Sequence, residues 1–172
     1  MKDRNVWNAF WQVGAFRITV ASSVLFLVLT SVAMLFYPGG TLSNPRSHGY
    51  AFFVNFLSDL GRFSSLSGQS NLPSMVLFTL ALSMGALGIA LFFLAFTQLF
   101  PGSGMDWQFS RLGAGFGLLS SLCFLGVAGV PLDISGRVHN LFLDVALVSF
   151  LVAFLFIFLA VLLKPGCAAP RF

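Results

Sequence analysis

Charged side chains are scarce in this chain: Asp, Glu, Lys and Arg together make up 8% of 172 residues. The five acids are all aspartate, and glutamate does not occur. Soluble domains are about a quarter charged, so the composition excludes an ordinary soluble domain. Hydrophobic residues instead make up 58% of the chain, with 22 phenylalanines. The mean hydropathy of +0.93 predicts an integral membrane protein.

Cysteine and histidine are also rare, with two of each. Cys123 lies in the middle of an apolar run and Cys167 lies near the C-terminus, so we expect them at different depths and not in a disulfide. The chain has no CxxC or CxxCH motif, which would indicate a redox dithiol or covalent haem. His48 and His139 lie in different segments without HxxH spacing. We therefore predict no metal, pigment, haem or other cofactor.

Four long apolar runs cover most of the chain. They lie at about 16–37, 73–99, 110–130 and 138–163, and each stops at a proline or glycine. A helix needs about 20 apolar residues to cross the hydrocarbon core. Strand alternation of the barrel type does not occur, and helices are the other fold that satisfies every backbone group in lipid. We predict an all-α fold in which residues 1–172 form one integral membrane four-helix bundle.

The distribution of basic residues predicts how the chain is oriented. Six Lys and Arg residues lie near the span ends on the side of the two termini, and three lie on the other side. The positive-inside rule therefore predicts that both termini are cytoplasmic. Before the first span, residues 1–15 place Trp7, Phe10 and Trp11 near one helical face, which predicts an interfacial anchor. No basic cluster with interleaved aromatics occurs, so we predict no nucleic-acid partner.

Polar residues collect on the outer side, opposite the termini. The long first connection, about 38–72, contains the octet NFLSDLGR at 55–62, whose apolar surroundings predict a short amphipathic helix. The third connection and the mouth of the fourth span return to the same side. Together they supply a predicted structural polar network, Asn55, Arg62, Asp133, Arg137 and Asn140, and four candidates for chemistry, Ser58, Asp59, His139 and Asp144.

Asp144 is the candidate that lies deepest in a predicted span. An unpaired acid exposed to lipid costs several kcal/mol, so we expect Asp144 to face the bundle, near Arg137, His139 or Arg62. Asp59 and Arg62 stand at i, i+3, which allows an ion pair, and Arg137 is the other partner expected for Asp59. Both a functional site and a structural network that holds the outer loop on the bundle fit this pattern.

Ser58, His139 and either Asp133 or Asp144 are the residue types of a Ser-His-Asp relay. The chain has no G-x-S-x-G nucleophile motif, and no oxyanion hole is visible in the sequence. A lipid-modifying enzyme with an outer-face polar site therefore stands as the alternative to a non-catalytic protein.

Small residues recur at helical spacing in two spans. Gly113, Gly117 and Ser121 form a small-xxx-small run in the third span, and Ala81 and Gly85 form another in the second. Such faces allow helices to approach closely. The fourth span is bulky and rich in phenylalanine, so we expect it to meet membrane lipids, acyl chains or another membrane subunit.

Three short stretches resemble a known family: NFLSDLG at 55–61, Ser70-Asn71 and His139-Asn140. They resemble bacterial and archaeal multi-pass proteins grouped as domain of unknown function 998. More loosely, the pattern is similar to the Frag1/DRAM/Sfk1 family, which has an S-D-x-G element and a later histidine and includes members tied to lipid-anchor remodelling. The resemblance implies a bacterial or archaeal cytoplasmic membrane protein with an outer polar cluster. Both families typically have more spans than this chain.

These observations predict a non-catalytic accessory, structural or lipid-binding subunit of a larger membrane complex. A bound lipid is compatible with the pattern. The alternative is a lipid-modifying enzyme, of hydrolase or lipid-anchor-remodelling type, that uses Ser58, Asp59, His139 and Asp144.

Overall fold

The computed structural model describes residues 10–164, which form four long helices. Helix α1 is Ala15–Phe36, α2 is Leu72–Thr97, α3 is Met105–Gly129 and α4 is Gly136–Leu163. All four are long and apolar enough to cross a membrane. No strand occurs in residues 10–164. The predicted all-α four-helix membrane bundle is confirmed.

The N-terminal prediction can be followed only in part. Residues Phe10–Gly14 form a π-helical turn that runs directly into α1. Trp7 and the rest of the predicted anchor at 1–9 lie outside the described residues, as does Cys167.

Helix α3 begins five residues before the predicted start of the third span, at Met105 rather than Ser110. Asp106 lies in its first turn, where a carboxylate is favoured by the helix dipole. One turn later the guanidinium of Arg111 stacks over the Trp107 ring, 5.3 Å from its centroid. These polar contacts extend the helix beyond the apolar run on which the prediction rested.

The closely packed helix pairs are consecutive in the chain: α1 with α2, α2 with α3, and α3 with α4. Hydroxyl groups connect these pairs within the bundle. Ser121 Oγ donates to Ala86 O of α2 at 2.7 Å, and Ser120 Oγ donates to Ala146 O of α4 at 2.9 Å. Because lipid offers no competing water, such bonds stabilise a helix pair by about 0.6 to 2 kcal/mol each.

The bundle has two ends of different character. We call the end with the connections at 37–71 and 130–135 the loop end, and the opposite end the terminal end. At the loop end, a core cluster of Ala33, Tyr37, Leu60 and Phe78 lies under the first connection. Nearer the terminal end, a second cluster gathers around the fully buried Phe93: Ala114, Ala153 and Ile157, with Ile89, Phe92, Phe96, Phe116 and Phe150 against them.

The loop-end connection contains less helix than the amphipathic pattern indicated. Leu57–Gly61 forms a five-residue 3-10 helix, and residues 52–54 form a turn. In a regular helix over this stretch, Phe52 and Phe56 would share a face with Asp59. The two phenylalanines are instead 66% and 61% exposed, whereas Asp59 is 2% exposed. The short helix therefore points its acid inward and leaves the aromatic rings on the surface.

Candidate functional site

Asn55 organises the first half of the loop-end connection. Its Nδ2 donates to Gly40 O at 2.9 Å and to Asp59 Oδ2 at 3.2 Å. Its Oδ1 accepts a hydrogen bond of 2.9 Å from Ala51 N–H. Asp59 Oδ2 also accepts from Phe56 N–H at 2.9 Å. Both ends of the amide are satisfied, so Asn55 and Asp59 hold the connection as one hydrogen-bonded unit.

The ion pair expected between Asp59 and Arg62 does not form. The 3-10 helix turns the Asp59 carboxylate inward, and Arg62 follows that helix in extended backbone with φ −70° and ψ 147°. Arg62 Nε donates instead to Ser64 O at 3.2 Å. Arg137, the other expected partner, is exposed on α4, and within residues 10–164 Asp59 has no ion pair with it. Because the backbone leaves the helix at Arg62, the i, i+3 spacing did not produce a helical neighbour.

Asn71 closes the second half of the connection and was not among the predicted site residues. This fully buried side chain donates through Nδ2 to three backbone carbonyls: Asp59 O at 3.4 Å, Leu60 O at 3.0 Å and Arg62 O at 2.9 Å. Ser74 Oγ adds a bond of 3.2 Å to Leu60 O. An asparagine directly before a Leu-Pro helix start is a helix-capping signal in the sequence, but it does not reveal the three carbonyls.

Asp133 joins the third connection to the first. Its two carboxylate oxygens accept hydrogen bonds of 2.9 Å from Phe63 N–H and Ser64 N–H. Burial by itself would raise the pKa of Asp133, but these two bonds and the nearby Arg62 charge lower the pKa below its usual value. The ionised carboxylate therefore acts as a clasp, in that it holds the third connection to residues 63–64 of the first through two hydrogen bonds.

Tyr37 and Tyr50 complete the loop-end network and were also not predicted. Tyr37 OH accepts a bond of 3.1 Å from Leu66 N–H, and its ring meets Tyr50 edge-on at 5.7 Å. Burial raises the pKa of Tyr37, and the Asp59 carboxylate adds to the rise against the effect of the Leu66 bond. Tyrosines at a span end are typical of membrane interfaces, and this signal could have drawn attention to Tyr37.

His139 is the most buried ionisable side chain of α4, at 2% exposure. Its Nδ1 lies 2.6 Å from Val130 O. A carbonyl oxygen only accepts hydrogen bonds, so Nδ1 carries a proton, and in the neutral tautomer that this bond selects Nε2 presents a lone pair. Nε2 is buried and has no hydrogen-bond partner among the described residues. An unsatisfied buried acceptor costs about 1–3 kcal/mol, so a donor at this position would be favourable.

The structure brings two of the predicted candidates together, because Ser58 and His139 line the same cavity. This cavity has a volume of about 290 Å³. Within residues 10–164, Ser58 Oγ makes no hydrogen bond. The remaining wall is apolar and comes from all four helices and the 3-10 helix: Phe26, Phe56, Leu57, Phe78, Leu82, Phe124, Val127 and Leu143.

This cavity is the loop end of a longer groove. A second cavity of about 320 Å³ shares Phe26, Leu82 and Phe124 with it and continues to Gly85. A third, of about 160 Å³, shares Gly85 with the second and reaches Phe154 of α4. Helix α1 borders all three cavities, whereas its closely packed neighbour is α2. The groove therefore runs along the open side of α1, with the buried histidine at one end.

Residues 10–164 do not assemble a complete Ser-His-Asp relay. The position that an orienting carboxylate would occupy, beside His139 Nδ1, is taken by the Val130 carbonyl. Asp133 is bound to the Phe63 and Ser64 amides instead. What the cavity places together is a serine hydroxyl, a buried imidazole with a free lone pair and an apolar wall.

Asp144 does not face the bundle as expected. It is exposed on α4, and so is Asn140 one turn before it. Successive helical residues are about 100° apart, which places Asp144 opposite Ala153, a residue with no exposed surface. The bundle accepts small residues on that inner face, so the acid is turned outward. Within residues 10–164, Asp144 has neither a hydrogen bond nor an ion pair.

The predicted packing residues all lie at or near helix contacts. A Cβ on Gly113 would meet Ala153 O at 3.1 Å, one on Gly117 would meet the Phe93 ring at 2.3 Å, and one on Gly85 would meet Phe26 at 3.4 Å. Ala81 has no exposed surface, and Ser121 donates to α2 as described above. The closest of these approaches, at Gly117, allows Phe93 to occupy the space between helices.

Within residues 10–164, no three His, Cys, Asp or Glu side chains come close enough to hold a metal ion. The described cysteine, Cys123, is buried and free. Comparisons with protein-family models, curated proteins and solved structures found no match to this chain. The resemblance drawn from the short sequence motifs therefore stays a prediction.

Proposed function

We propose that this chain is a non-catalytic, lipid-binding component of a bacterial or archaeal cytoplasmic membrane, with both termini in the cytoplasm. The observation that carries the proposal is the apolar groove along α1, which has the unpartnered His139 Nε2 at its loop end. The positive-inside count supports the orientation.

The groove fits the apolar part of a lipid. Its largest cavity, about 320 Å³, falls within the usual range of about 300–1,000 Å³ for small-molecule sites. The lining is mainly Phe, Leu, Ile and Ala, and Gly85 leaves a gap in α2 where two of the cavities meet. Lipid chains pack well against this part of the groove because the hydroxyls that line it, Thr19 and Ser23, already donate to backbone carbonyls.

The loop end of the groove selects the headgroup. His139 Nε2 is an acceptor, so the complementary lipid carries a hydroxyl or amide hydrogen. No lysine or arginine from residues 10–164 lines the cavity, which disfavours a phosphate at this position. A neutral lipid with a free hydroxyl, such as a diacylglycerol, satisfies both the acceptor and the apolar wall. Ser58 Oγ lies in the same cavity and can bind a second oxygen of the headgroup.

A paired-ligand measurement tests the proposal. The protein is placed in phosphatidylcholine nanodiscs and titrated with a fluorescent dioleoylglycerol or with its methyl ether, which has no donor. We expect the wild type to bind the alcohol about tenfold more tightly, the effect of one hydrogen bond to a buried acceptor. In His139→Phe this preference should vanish while the methyl ether still binds.

Two matched leucine substitutions test the groove itself. Gly85→Leu fills the point where two cavities meet and should weaken binding of both ligands. Gly115→Leu makes the same change on an exposed face of α3, where a Cβ has nothing within 4 Å, and should have no effect. Equal binding in wild type and Gly85→Leu would reject the groove as the lipid site. Full binding without headgroup preference would reject only the role of His139.

A lipid-modifying enzyme remains a second candidate because Ser58 and His139 share a cavity. In that case Ser58 is the nucleophile, and His139 Nε2 accepts its proton without an orienting carboxylate. Incubation with an esterified lipid separates the two functions. Turnover by the wild type that is lost in both Ser58→Ala and His139→Ala, in folded protein, would support the enzyme and reject the non-catalytic proposal.

A further inference from the structure

The exposed face of α4 combines an unpaired acid with an apolar stripe. From Leu141 onward, exposed residues recur at alternating intervals of three and four, with Asp144 second in the series. We call this series the α4 seam. Its apolar members are between 54% and 69% exposed: Leu141, Val148, Leu151, Leu155, Phe158 and Leu162. Such spacing keeps one face of a helix toward a partner helix along its whole length.

Asp144 lies at a depth where the lipid chains offer its carboxyl group neither a hydrogen-bond donor nor a positive charge. Helix α4 has 28 residues, which makes it about 42 Å long at 1.5 Å per residue, against a hydrocarbon core of about 30 Å. Asp144 lies eight residues, or about 12 Å, from the loop-end start of α4. If the extra length is shared between the two ends, the Cα of Asp144 lies about 6 Å inside the core.

The seam also offers a place for a neighbouring side chain. Asp144, Val145, Val148 and Ser149 line a shallow depression on the outer surface of α4. Asp144 lines this depression, and its carboxyl group has no partner within residues 10–164. An acid at this depth is stabilised when a positive charge from another helix enters the depression.

We propose that the α4 seam binds a transmembrane helix of a different protein, and that this helix carries a lysine or arginine that pairs with Asp144. Charge decides between this occupant and a second copy of the chain. Two copies with the same orientation would place Asp144 beside Asp144. The nearest cation on α4 is Arg137, seven residues and about 10 Å toward the loop end, so a second copy brings repulsion instead of a partner.

A designed peptide tests the charge requirement in the intact protein. The probe is a leucine-rich transmembrane peptide with one lysine about four residues inside its span, and the control peptide has leucine there. Both are labelled and mixed with the labelled protein in phosphatidylcholine vesicles, where energy transfer reports association. We expect the lysine peptide to associate about tenfold more tightly, and we expect Asp144→Leu to remove the difference.

Moving the acid to another helix tests whether its position on the α4 seam matters or whether any acid in the membrane is enough. Leu122 of α3 is 65% exposed and lies seven residues from the loop-end terminus of its helix, close to the depth of Asp144. The double variant Asp144→Leu/Leu122→Asp therefore keeps an acid in the membrane but moves it off the seam. The proposal requires that this variant not regain the preference for lysine.

Three results would overturn the proposal. The lysine and leucine peptides could associate equally with the wild type, which would mean that lipid is enough to cover Asp144. The transplanted acid could regain the preference, which would mean that charge alone acts. Two labelled copies of the protein could associate with each other through Asp144, which would make a second copy the occupant.

Discussion

At the loop end of the bundle, side chains hydrogen-bond to the backbone of the connections. In the region nearer the terminal end, aromatic rings pack against one another instead. At the loop end, Asn71 alone donates to three carbonyls, and Asn55 bridges Gly40 and Asp59. Nearer the terminal end, Phe93 packs edge-on against Phe92, Phe150 and Phe154 with centroids 5.2 to 6.2 Å apart.

The difference teaches where each kind of interaction is needed. A long irregular connection has backbone groups that no helix satisfies, so buried amides must replace the helical bonds. Regular helices satisfy their own backbone, so packing is the main interaction between them, and the Ser120 and Ser121 hydroxyl bonds add to it. The groove begins where the two regions meet. Its histidine is satisfied at Nδ1 but not at Nε2, much as the loop-end Asn71 is satisfied at Nδ2 but not at Oδ1.

Asn71→Leu should have the largest effect on this comparison. It leaves the buried Asp59, Leu60 and Arg62 carbonyls without the Nδ2 donor. Leu60 O keeps the Ser74 Oγ donor and Asp59 O keeps the Arg62 N–H, so Arg62 O is the carbonyl left without a donor. An unsatisfied buried group costs about 1–3 kcal/mol, and we expect a loss near the upper end of that range in the free energy of unfolding. Unfolding with SDS in mixed micelles measures the loss.

Amide hydrogen exchange should show that this damage is local. We expect faster exchange in residues 57–71 of Asn71→Leu and unchanged exchange around Phe93. Uniform acceleration over all four helices would contradict the division into two differently organised regions.

Gly117→Val should give an intermediate loss in the aromatic region. The new Cβ would lie 2.3 Å from the Phe93 ring carbons, so the ring must move. Such overpacking costs about 1–3 kcal/mol. Gly115→Val is the matched control, because a Cβ at this exposed position meets nothing within 4 Å. Equal stability of the two variants, measured by the same SDS titration, would show that Phe93 can relocate freely.

Asp133→Asn should have the smallest effect on stability, and most of it should appear in the pH dependence of the melting temperature. The folded pKa of Asp133 lies below its usual value of about 4. Its contribution is therefore complete above pH 4 and lost as the pH falls through the folded pKa. We expect Asp133→Asn to lower the melting temperature slightly at pH 7 and to flatten its fall toward pH 3.

Asp106→Asn is the control for this measurement, since Asp106 is a carboxylate at the opposite end of the bundle. Asp106→Asn could flatten the fall of the melting temperature toward pH 3 as much as Asp133→Asn does. In that case the Asp133 bonds between the two connections do not determine how stability falls in acid.

The sequence by itself determined the number of helices, their approximate bounds and the small residues between them. Apolar length and helix-breaking residues act locally, so they can be read without knowing what each helix touches. The same reading placed Asn55, Ser58, Asp59, Asp133 and His139 at one end of the bundle, since alternate connections of a membrane bundle lie on the same side.

Only the tertiary structure decided which partner each polar group has. Asp59 binds Asn55 instead of Arg62 because the chain leaves the 3-10 helix at Arg62. Asp144 faces outward because small residues fill the inner face of α4. Asn71 satisfies three carbonyls that an irregular backbone happens to bring together. These outcomes depend on rotation about helix axes and on loop conformation, which residue spacing in the sequence does not specify.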